Sequence, residues 1–585
     1  LTKSLPTLSR AFDKALGGDV AFTAVGFRKE PGRTTPKFLG WLFERIFDAA
    51  GLIRSDADVH AIKHVRQILQ LVYKLKLEHS DESTKKVLQS FCSVQDGLKT
   101  LVVDETDAVV KRARMYITRV LSGLSPKEVI PSHGPGAVAT GERGGEKSHF
   151  SRLYEDMDRE YPFTEYFHLS LSHTVDCAAW LDNLEVLGTG TAKVVLVPKD
   201  SRGPRLISCE PLEKQWIQQG QRKALYSWLE QHPLTRGKVN FTDQQINRRL
   251  ALSSSRDRSR VTLDMKEASD RVSLKLVRAL FAGTEWLSAL EASRSGYTRL
   301  PDGTVVELET FAPMGSAVCF PIEALTFWAL AVSALVVHRR KPEFTPLHIA
   351  ERRALASVYV YGDDIICDTK DYSIIMQQLE RFGLLFNRAK CCVSGLFRES
   401  CGCDAYNGVD VTPTRLRETW CSQSRYNVVQ LQSYVEFSNS MWEKGYYGTA
   451  SLVREMVDGL FGNIPYLDYK EETASEYCHI DKILRRRSSP SQGKRVPPGR
   501  VIGYDASGVS PHILNRGRVR TRFNWHTHVH EVQGYSSVPD KDVWDEYGWE
   551  ALLRSLNSGA TGLPNGVYAI PHSSRMKRTW GSTGC

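Results

Sequence analysis

The sequence predicts an α+β fold, an antiparallel sheet with helices on one face, and three observations carry that reading. Short apolar stretches bounded by breakers begin at Lys193: "KVVLVPKD", "PRLISCE" and "SRVTLDM" are each of strand length. "YTRLPDGTVVELETF" sets Asp302-Gly303 between two alternating segments, the signature of a hairpin. A continuous apolar run then predicts a long helix from about Ile322 to His338, and "VYVYGDDIICDTK" comes next as two strands broken by Gly-Asp-Asp.

Taken in chain order, residues 40 to 120 read as helices, since "GWLFERIFDAAGLI" and "HAIKHVRQILQLVYKLKL" repeat apolar residues at helical spacing. Pro131 to Phe150 form a Gly-rich polar loop. Its "GERGGEKS" falls short of a phosphate-binding loop, because the Lys does not follow the Gly and no apolar strand precedes it. After the Gly-Asp-Asp strands, "YSIIMQQLERFGL" predicts a further helix. Beyond residue 404 the pattern weakens. Leu484 to Arg500, basic and rich in Pro, Ser and Gly, reads as a linker or as a loop that touches nucleic acid. His526, His528 and His530 share one face of a candidate strand, read as surface rather than as a metal site.

The totals exclude several classes. A chain of 585 residues can build several subdomains and a large core. Its net charge of +10, from 77 Lys and Arg against 67 Asp and Glu, fits one basic channel or face better than a wholly basic protein. The 12 Cys show no regular spacing, which argues against a disulfide framework and for a reducing compartment. A zinc site from Cys391, Cys392, Cys401 and Cys403 is disfavoured, since no Cys-x-x-Cys pair is present. The opening residues lack the apolar core of a signal peptide. "FWALAVSALVV", flanked by Glu323 and Arg339–Arg340, is too short for a bilayer and predicts a buried helix.

Chemistry concentrates at the carboxylates. Asp363 and Asp364 are adjacent at a predicted hairpin tip, where their repulsion needs a counter-charge. A divalent metal supplies one, and Mg²⁺ prefers one or two carboxylates plus substrate phosphates. Asp264 ends an upstream apolar strand, with Asp270 six residues on. A strand-end Asp beside a hairpin-tip Asp can hold two metals about 3.5–4 Å apart for in-line phosphoryl displacement. Upstream, Lys193, Lys199, Arg202 and Arg205 line predicted strands and suit a triphosphate.

The order of basic strand, Asp-x5-Asp, helix, Tyr-Gly-Asp-Asp and Lys-bearing strand resembles the palm of viral RNA-directed RNA polymerases. More narrowly, the chain is similar to the replicase beta subunit of the single-stranded RNA bacteriophages, the levivirus group. "VPKDSRGPRLISCEP", "FTDQQINRRLA", "LDMKEASDRVS", "RLPDGTVVE", "PMGSAVCFPIEALTF", "YGDDII" and "SGLFRESCGCDAYNGVDVTP" carry the likeness across roughly residues 194 to 413. The resemblance implies a right-hand polymerase of fingers, palm and thumb. Residues 1–255 would be the N-terminal region and fingers, with NTP-entry strands at 193–210. Residues 256–403 would be the palm, with a fingers insertion at about 275–312, and residues 404–585 the thumb and C-terminal region.

The resemblance also assigns roles. Asp264, Asp363 and Asp364 would hold two Mg²⁺ ions, with Mn²⁺ able to substitute. Lys390 would protonate the departing pyrophosphate, and Lys199, Arg202 and Arg205 would bind the NTP. Asp270, with Ser269 and Ser316, would sense the ribose 2′-OH, and Arg398 would touch the RNA 3′ end. Ser316 departs from the Met-Gly-Asn-Gly of the family, and no Asn lies between Met314 and Val337. The implied activity is RNA-dependent RNA synthesis from a phage template without a primer, in the cytoplasm of a bacterial host and away from membranes. The implied partners are RNA template and product, NTPs, host elongation factors Tu and Ts, and an RNA-binding ribosomal protein. A non-catalytic RNA-binding phage protein explains the positive charge but not the acids. A reverse transcriptase usually carries a larger residue at the position of Gly362 and a bulkier one near Ala268 and Ser269.

Overall fold

The computed structural model describes residues 4–18, 20–77, 80–167, 183–200, 203–339, 346–420 and 428–461, and five strand segments between 466 and 539 with a sixth at 574–582. Arg202, the basic stretch Leu484 to Arg500, and His526 and His528 lie outside the described residues. The chain divides into two compact units, the first holding most of Leu1–Pro413 and the second Gln70–Leu77 with most of the residues from Thr414 onward.

The first unit is α+β, as predicted. Its central sheet has four antiparallel strands in the order Leu385–Phe386, Arg260–Lys266, Asp364–Asp368, Tyr359–Tyr361. Val261, Leu263 and Met265 alternate along one face of their strand into the main apolar core. Asp264, between them in sequence, therefore points to the other face. A second sheet runs Gly203–Cys209, Thr191–Asp200, Tyr297–Arg299, Val305–Glu307. The Asp302-Gly303 hairpin forms as expected, with Leu300 N–H donating to Thr304 O at 2.8 Å. A third sheet joins Phe397–Ser400, Cys403–Tyr406 and Val409–Asp410.

The predicted long helix spans Cys319–Arg339. It is long and apolar enough to cross a membrane, yet 89% of its most apolar window is buried inside the protein. Every residue from Ile322 to Val336 is buried, so it is the axis of the core rather than an amphipathic surface helix. Fully burying each large apolar side chain contributes about 1.5–3 kcal/mol.

The helix expected over "GWLFERIFDAAGLI" is a correction. Only Gly40–Phe43 is helical, and Phe47 then bridges Ile53 in antiparallel fashion. The Asp48 side chain accepts from the N–H groups of Ala50 and Leu52, both at 2.9 Å, and so turns the chain back where a helix would continue. "HAIKHVRQILQ" does form a helix, Val59–Gln70.

In the second unit, helices Val428–Glu443 and Tyr447–Phe461 pack through Leu431, Tyr434, Val435, Val453 and Val457. Val529–Pro539 centres a small antiparallel sheet with Val501–Ile502, Thr521–Asn524 and Ser574–Ser582.

One buried cation ties distant parts of the first unit together. Arg66 is 2% exposed, meets Asp404 at 2.5 Å, and also pairs with Asp13. Its guanidinium lies 4.7 Å from the centre of the Phe397 ring. Arg66→Ala would remove the buried guanidinium that pairs with both Asp404 and Asp13. We expect it to destabilise the first unit by about 3–5 kcal/mol. The check is a fall in the urea midpoint with an unchanged slope.

Candidate active site

Strand register brings the acids together. Asp264 pairs directly with Asp364, and Tyr361 pairs with Asp364 from the other side. Gly362 and Asp363 are therefore the two-residue turn of a tight hairpin. Gly362 has φ +60 and is the residue of the pair with positive φ, the pattern that favours Gly at the first turn position. Space demands Gly too, since a Cβ there would lie 1.9 Å from the Phe320 ring. Phe320 packs edge-on against Tyr361 at 5.6 Å, and the Tyr361 hydroxyl donates to Phe241 O at 2.7 Å. The turn is thus clamped from below by the core helix and from the side by the "FTDQQ" segment.

The electrostatics follow from that crowding. Burial, then the Asp264 charge, pushes the Asp363 carboxyl above its usual range, while Lys390 and Arg205 draw it back. Burial and the Asp363 charge lift Asp364 to about 6. The Cys401 N–H donates to Asp364 Oδ2 at 2.7 Å, and Lys390 Nζ donates to Asp264 Oδ1 at 3.0 Å. Lys390 sits in the turn after the strand Leu385–Phe386, not on a strand as the sequence suggested.

The donor set is all hard carboxylate oxygen, which fits Mg²⁺ in type. As placed, no three His, Cys, Asp or Glu among the described residues are gathered around a single point. That holds for the three aspartates, with Asp264 engaged by Lys390. Cys391, Cys392, Cys401 and Cys403 are free thiols.

The remaining predicted residues divide. Arg205 is exposed, lies opposite Val197 on the ribbon of Thr191–Asp200 and Gly203–Cys209, and acts on Asp363 through its charge. Lys193 and Lys199 are exposed on the partner strand. Ser316 is 7% exposed, and its hydroxyl donates to Gln218 Oε1 at 3.0 Å. Gly315 beside it has φ +127, and a Cβ would meet Ser208 O at 2.1 Å, so this loop is pressed onto the ribbon. Ser269 is buried, and its carbonyl accepts from the Thr310 hydroxyl at 3.1 Å. Asp270 is lifted to about 7 by burial and the neighbouring Glu267.

Arg398 is a correction. It is 1% exposed, and its guanidinium donates to the carbonyls of Arg260, Ser394, Gly395 and Phe397. In that arrangement it braces two strands and presents no charge to RNA. Three residues went unread in the sequence. Gln218 holds Ser316 and Ala317 N–H together, each at 3.0 Å. The Cys401 N–H reaches Asp364. Glu323 is a carboxyl 5% exposed within the core helix. The signal for Glu323 was present as a lone acid inside "CFPIEALTFWALA".

Gly362→Ala would force both a strained φ and a clash with Phe320. We expect a loss on the order of 2–4 kcal/mol, read as a lowered denaturation midpoint. A change below about 0.5 kcal/mol would show that the hairpin tip is not clamped.

Comparison with known proteins identifies the family. The chain is 38% identical over 225 residues to an RNA-directed RNA polymerase subunit beta of Enterobacteria phage SP, covering 38% of this chain and 36% of that protein. It is 29% identical over 425 residues to the subunit of the same name of Qbeta virus strain MX1, covering 71% of this chain and 62% of that one. It is 34% identical over 233 residues to the RNA-directed RNA polymerase beta chain of Escherichia phage MS2, covering 40% and 38%. The matched stretches thus span between about a third and three fifths of these relatives. The family model described as RNA replicase, beta-chain, matches residues 73–432, which include every acid of the site, and the chain belongs to that family.

Proposed function

We propose that the chain is a template-directed RNA polymerase that copies a phage RNA genome by nucleotidyl transfer. The observation that carries this is the direct pairing of Asp264 with Asp364 beside Asp363 in the turn, in a member of the replicase beta-chain family. In this reading the central sheet is the palm, the ribbon sheet belongs to the fingers, and the second unit supplies the thumb. The substrates are an RNA template and NTPs, and synthesis starts without a primer. Host elongation factors Tu and Ts and a ribosomal protein would be its partners, in the cytoplasm of the infected cell.

Two Mg²⁺ ions, when bound by Asp264, Asp363 and Asp364, would activate the 3′-OH and stabilise the charge on the transferring phosphate. The protein's own residues do the rest. Arg205, with Lys193 and Lys199 on the same ribbon, offers positive charge to the triphosphate. Lys390 donates to Asp264 at 3.0 Å, and its ammonium would be the group to give a proton to the leaving pyrophosphate. The Cys401 N–H fixes the Asp364 carboxylate in one orientation.

Asp363→Asn removes a carboxylate from the proposed metal set while preserving volume. Nucleotide incorporation should fall at least about a thousandfold, since several kcal/mol of transition-state stabilisation are lost. RNA binding, which rests on Lys and Arg contacts to phosphate, should change little. Near-normal incorporation by this variant would sink the polymerase site as drawn.

Arg205→Ala should raise the KM for all four NTPs alike, by roughly tenfold. A contact to phosphate carries no base information. A defect confined to one nucleotide in a steady-state assay would show that Arg205 reads the base instead.

A further inference from the structure

The segment "FTDQQINRRLA" takes no part in the chemistry assigned so far. It opens the helix Gln245–Asp257, which begins at the catalytic hairpin. Gln244 Nε2 donates to the Tyr361 hydroxyl at 3.2 Å. Asn247 Nδ2 donates to Ser400 Oγ at 3.4 Å, one residue before the Cys401 N–H that holds Asp364. At the far end of the helix the Ser255 hydroxyl accepts from the Gly408 N–H at 2.7 Å. Asn247, Ala251, Ser254 and Ser255 are buried, so the opposite face is the one that meets solvent. That face carries Gln245, Arg249, Ser253 and Arg256, all exposed, with Arg248 half-buried at its edge. Arg249 and Arg256 are two helical turns apart, about 10 Å along one stripe.

The acids around this stripe are spent on the backbone. Asp243 accepts from the Gln245 N–H and Asp257 from the Ser259 N–H, both at 2.8 Å, and Asp410 accepts from the Thr412 N–H at 2.9 Å. Glu230 takes the N–H groups of Phe241 and Thr242 at 2.7 and 2.8 Å. Among the described residues no ion pair engages Arg248, Arg249 or Arg256, whereas Arg260 just beyond the helix pairs with Asp368 at 3.4 Å. A helix face that only meets water is usually laced with acids three or four residues from its cations, and none stands at that spacing here. The arginines are nevertheless held. Arg249 ties its Nε to Gln245 O at 3.2 Å, which leaves both terminal amino groups for a bidentate partner. Arg256 lies against the turn at Gly408, where a Cβ would meet its Nε at 2.7 Å.

We infer that the exposed face of the helix Gln245–Asp257 is a phosphate track for the RNA strand as it passes the catalytic hairpin, with Arg249 and Arg256 as its backbone contacts. The inference rests on the polymerase reading and deepens it by saying where the RNA runs. A guanidinium matches the geometry of a phosphate and keeps its charge at any working pH. Two of them on one rigid stripe fix the line of a strand without reading its bases. The helix is bonded to Tyr361 and to Ser400, so the track keeps a constant position relative to the acids.

The test is the affinity of the full chain for labelled single-stranded RNAs of two unrelated sequences, measured across a salt series. The double variant Arg249→Gln with Arg256→Gln should bind both RNAs about tenfold more weakly, and its dependence of log K on log salt should flatten by about 1 to 1.5. Arg249→Lys with Arg256→Lys keeps the charge and should keep the wild-type slope. Arg54→Gln with Arg278→Gln removes the same number of cations from exposed sites that pair with Asp56 and Glu291, and should change neither quantity. Equal binding by the Arg249/Arg256 glutamine variant and by the Arg54/Arg278 variant overturns the inference and makes the helix a solvated face. A lysine variant whose slope is as flat as that of the glutamine variant also overturns it, and so does a loss confined to one RNA sequence, which would mean base reading. A wild type that neither binds RNA nor incorporates nucleotides overturns the polymerase reading itself. A wild type that does both, beside a glutamine variant that binds as well as it does, overturns the track alone.

Discussion

The antiparallel register that sets Asp264 against Asp364 is the constraint on which the rest of the first unit depends. Directly opposed residues on neighbouring strands hold their Cβ atoms about 4.5–5.5 Å apart. Like charges there are destabilising, and the adjacent Asp363 adds a third. The surroundings answer this repulsion with an ammonium on Asp264, a backbone N–H on Asp364, and the more distant charge of Arg205. Asp363 and Asp364 both remain displaced upward, by burial first and by the neighbouring acid charges second.

Rigidity is the second requirement, and the core helix supplies it. Cys319, Phe320 and Glu323 are spaced so that Cys319 and Glu323 share one face while Phe320 lies beside them. Phe320 fills the space under Gly362 and so fixes the height of the hairpin tip. The loop just before this helix is tied to the ribbon by the bond from Ser208 N–H to Met314 O at 2.7 Å. Gln218, from the helix Leu212–Gln231, closes the same loop from below and also donates to Ser293 O at 2.8 Å. The aspartates of the hairpin tip, the loop before the core helix and the helix Leu212–Gln231 are thus braced against one another.

What the sequence made legible was whatever is local and periodic. The three strands after Lys193, the Asp302-Gly303 hairpin and the Gly-Asp-Asp turn depend on alternation and turn chemistry within about ten residues. The long helix was legible because its apolar run is unbroken, although its start lay three residues earlier than read. The failures have a common cause. "GWLFERIFDAAGLI" has helical spacing, but the Asp48 carboxylate competes for the backbone and wins. Arg398 looked like a phosphate ligand because a charge is usually exposed, and only tertiary packing shows four carbonyls around it. Glu323 was read as the flank of an apolar segment, although its place as a lone acid inside "CFPIEALTFWALA" was the signal for it.

The upward-shifted acids also set the direction in which the site acts on stability. Asp364 titrates at about 6 in the folded chain, against about 3.9 for an unperturbed Asp. The folded state therefore holds this proton more tightly than the unfolded state does. Its contribution favours folding below about pH 4 and is lost as pH rises through about 6, so at neutral pH the ionised group opposes folding. Asp270, at about 7, acts in the same sense over a wider window. A structural ion-pair network would have the opposite sign, with carboxylates drawn down by their partners, as Asp56 is by Arg54. Here acids that weaken the fold are clustered on a strand end, a hairpin turn and the short helix Ala268–Arg271. That is the pattern expected where a cation and a substrate, rather than the fold itself, are the partners for which the charges are arranged.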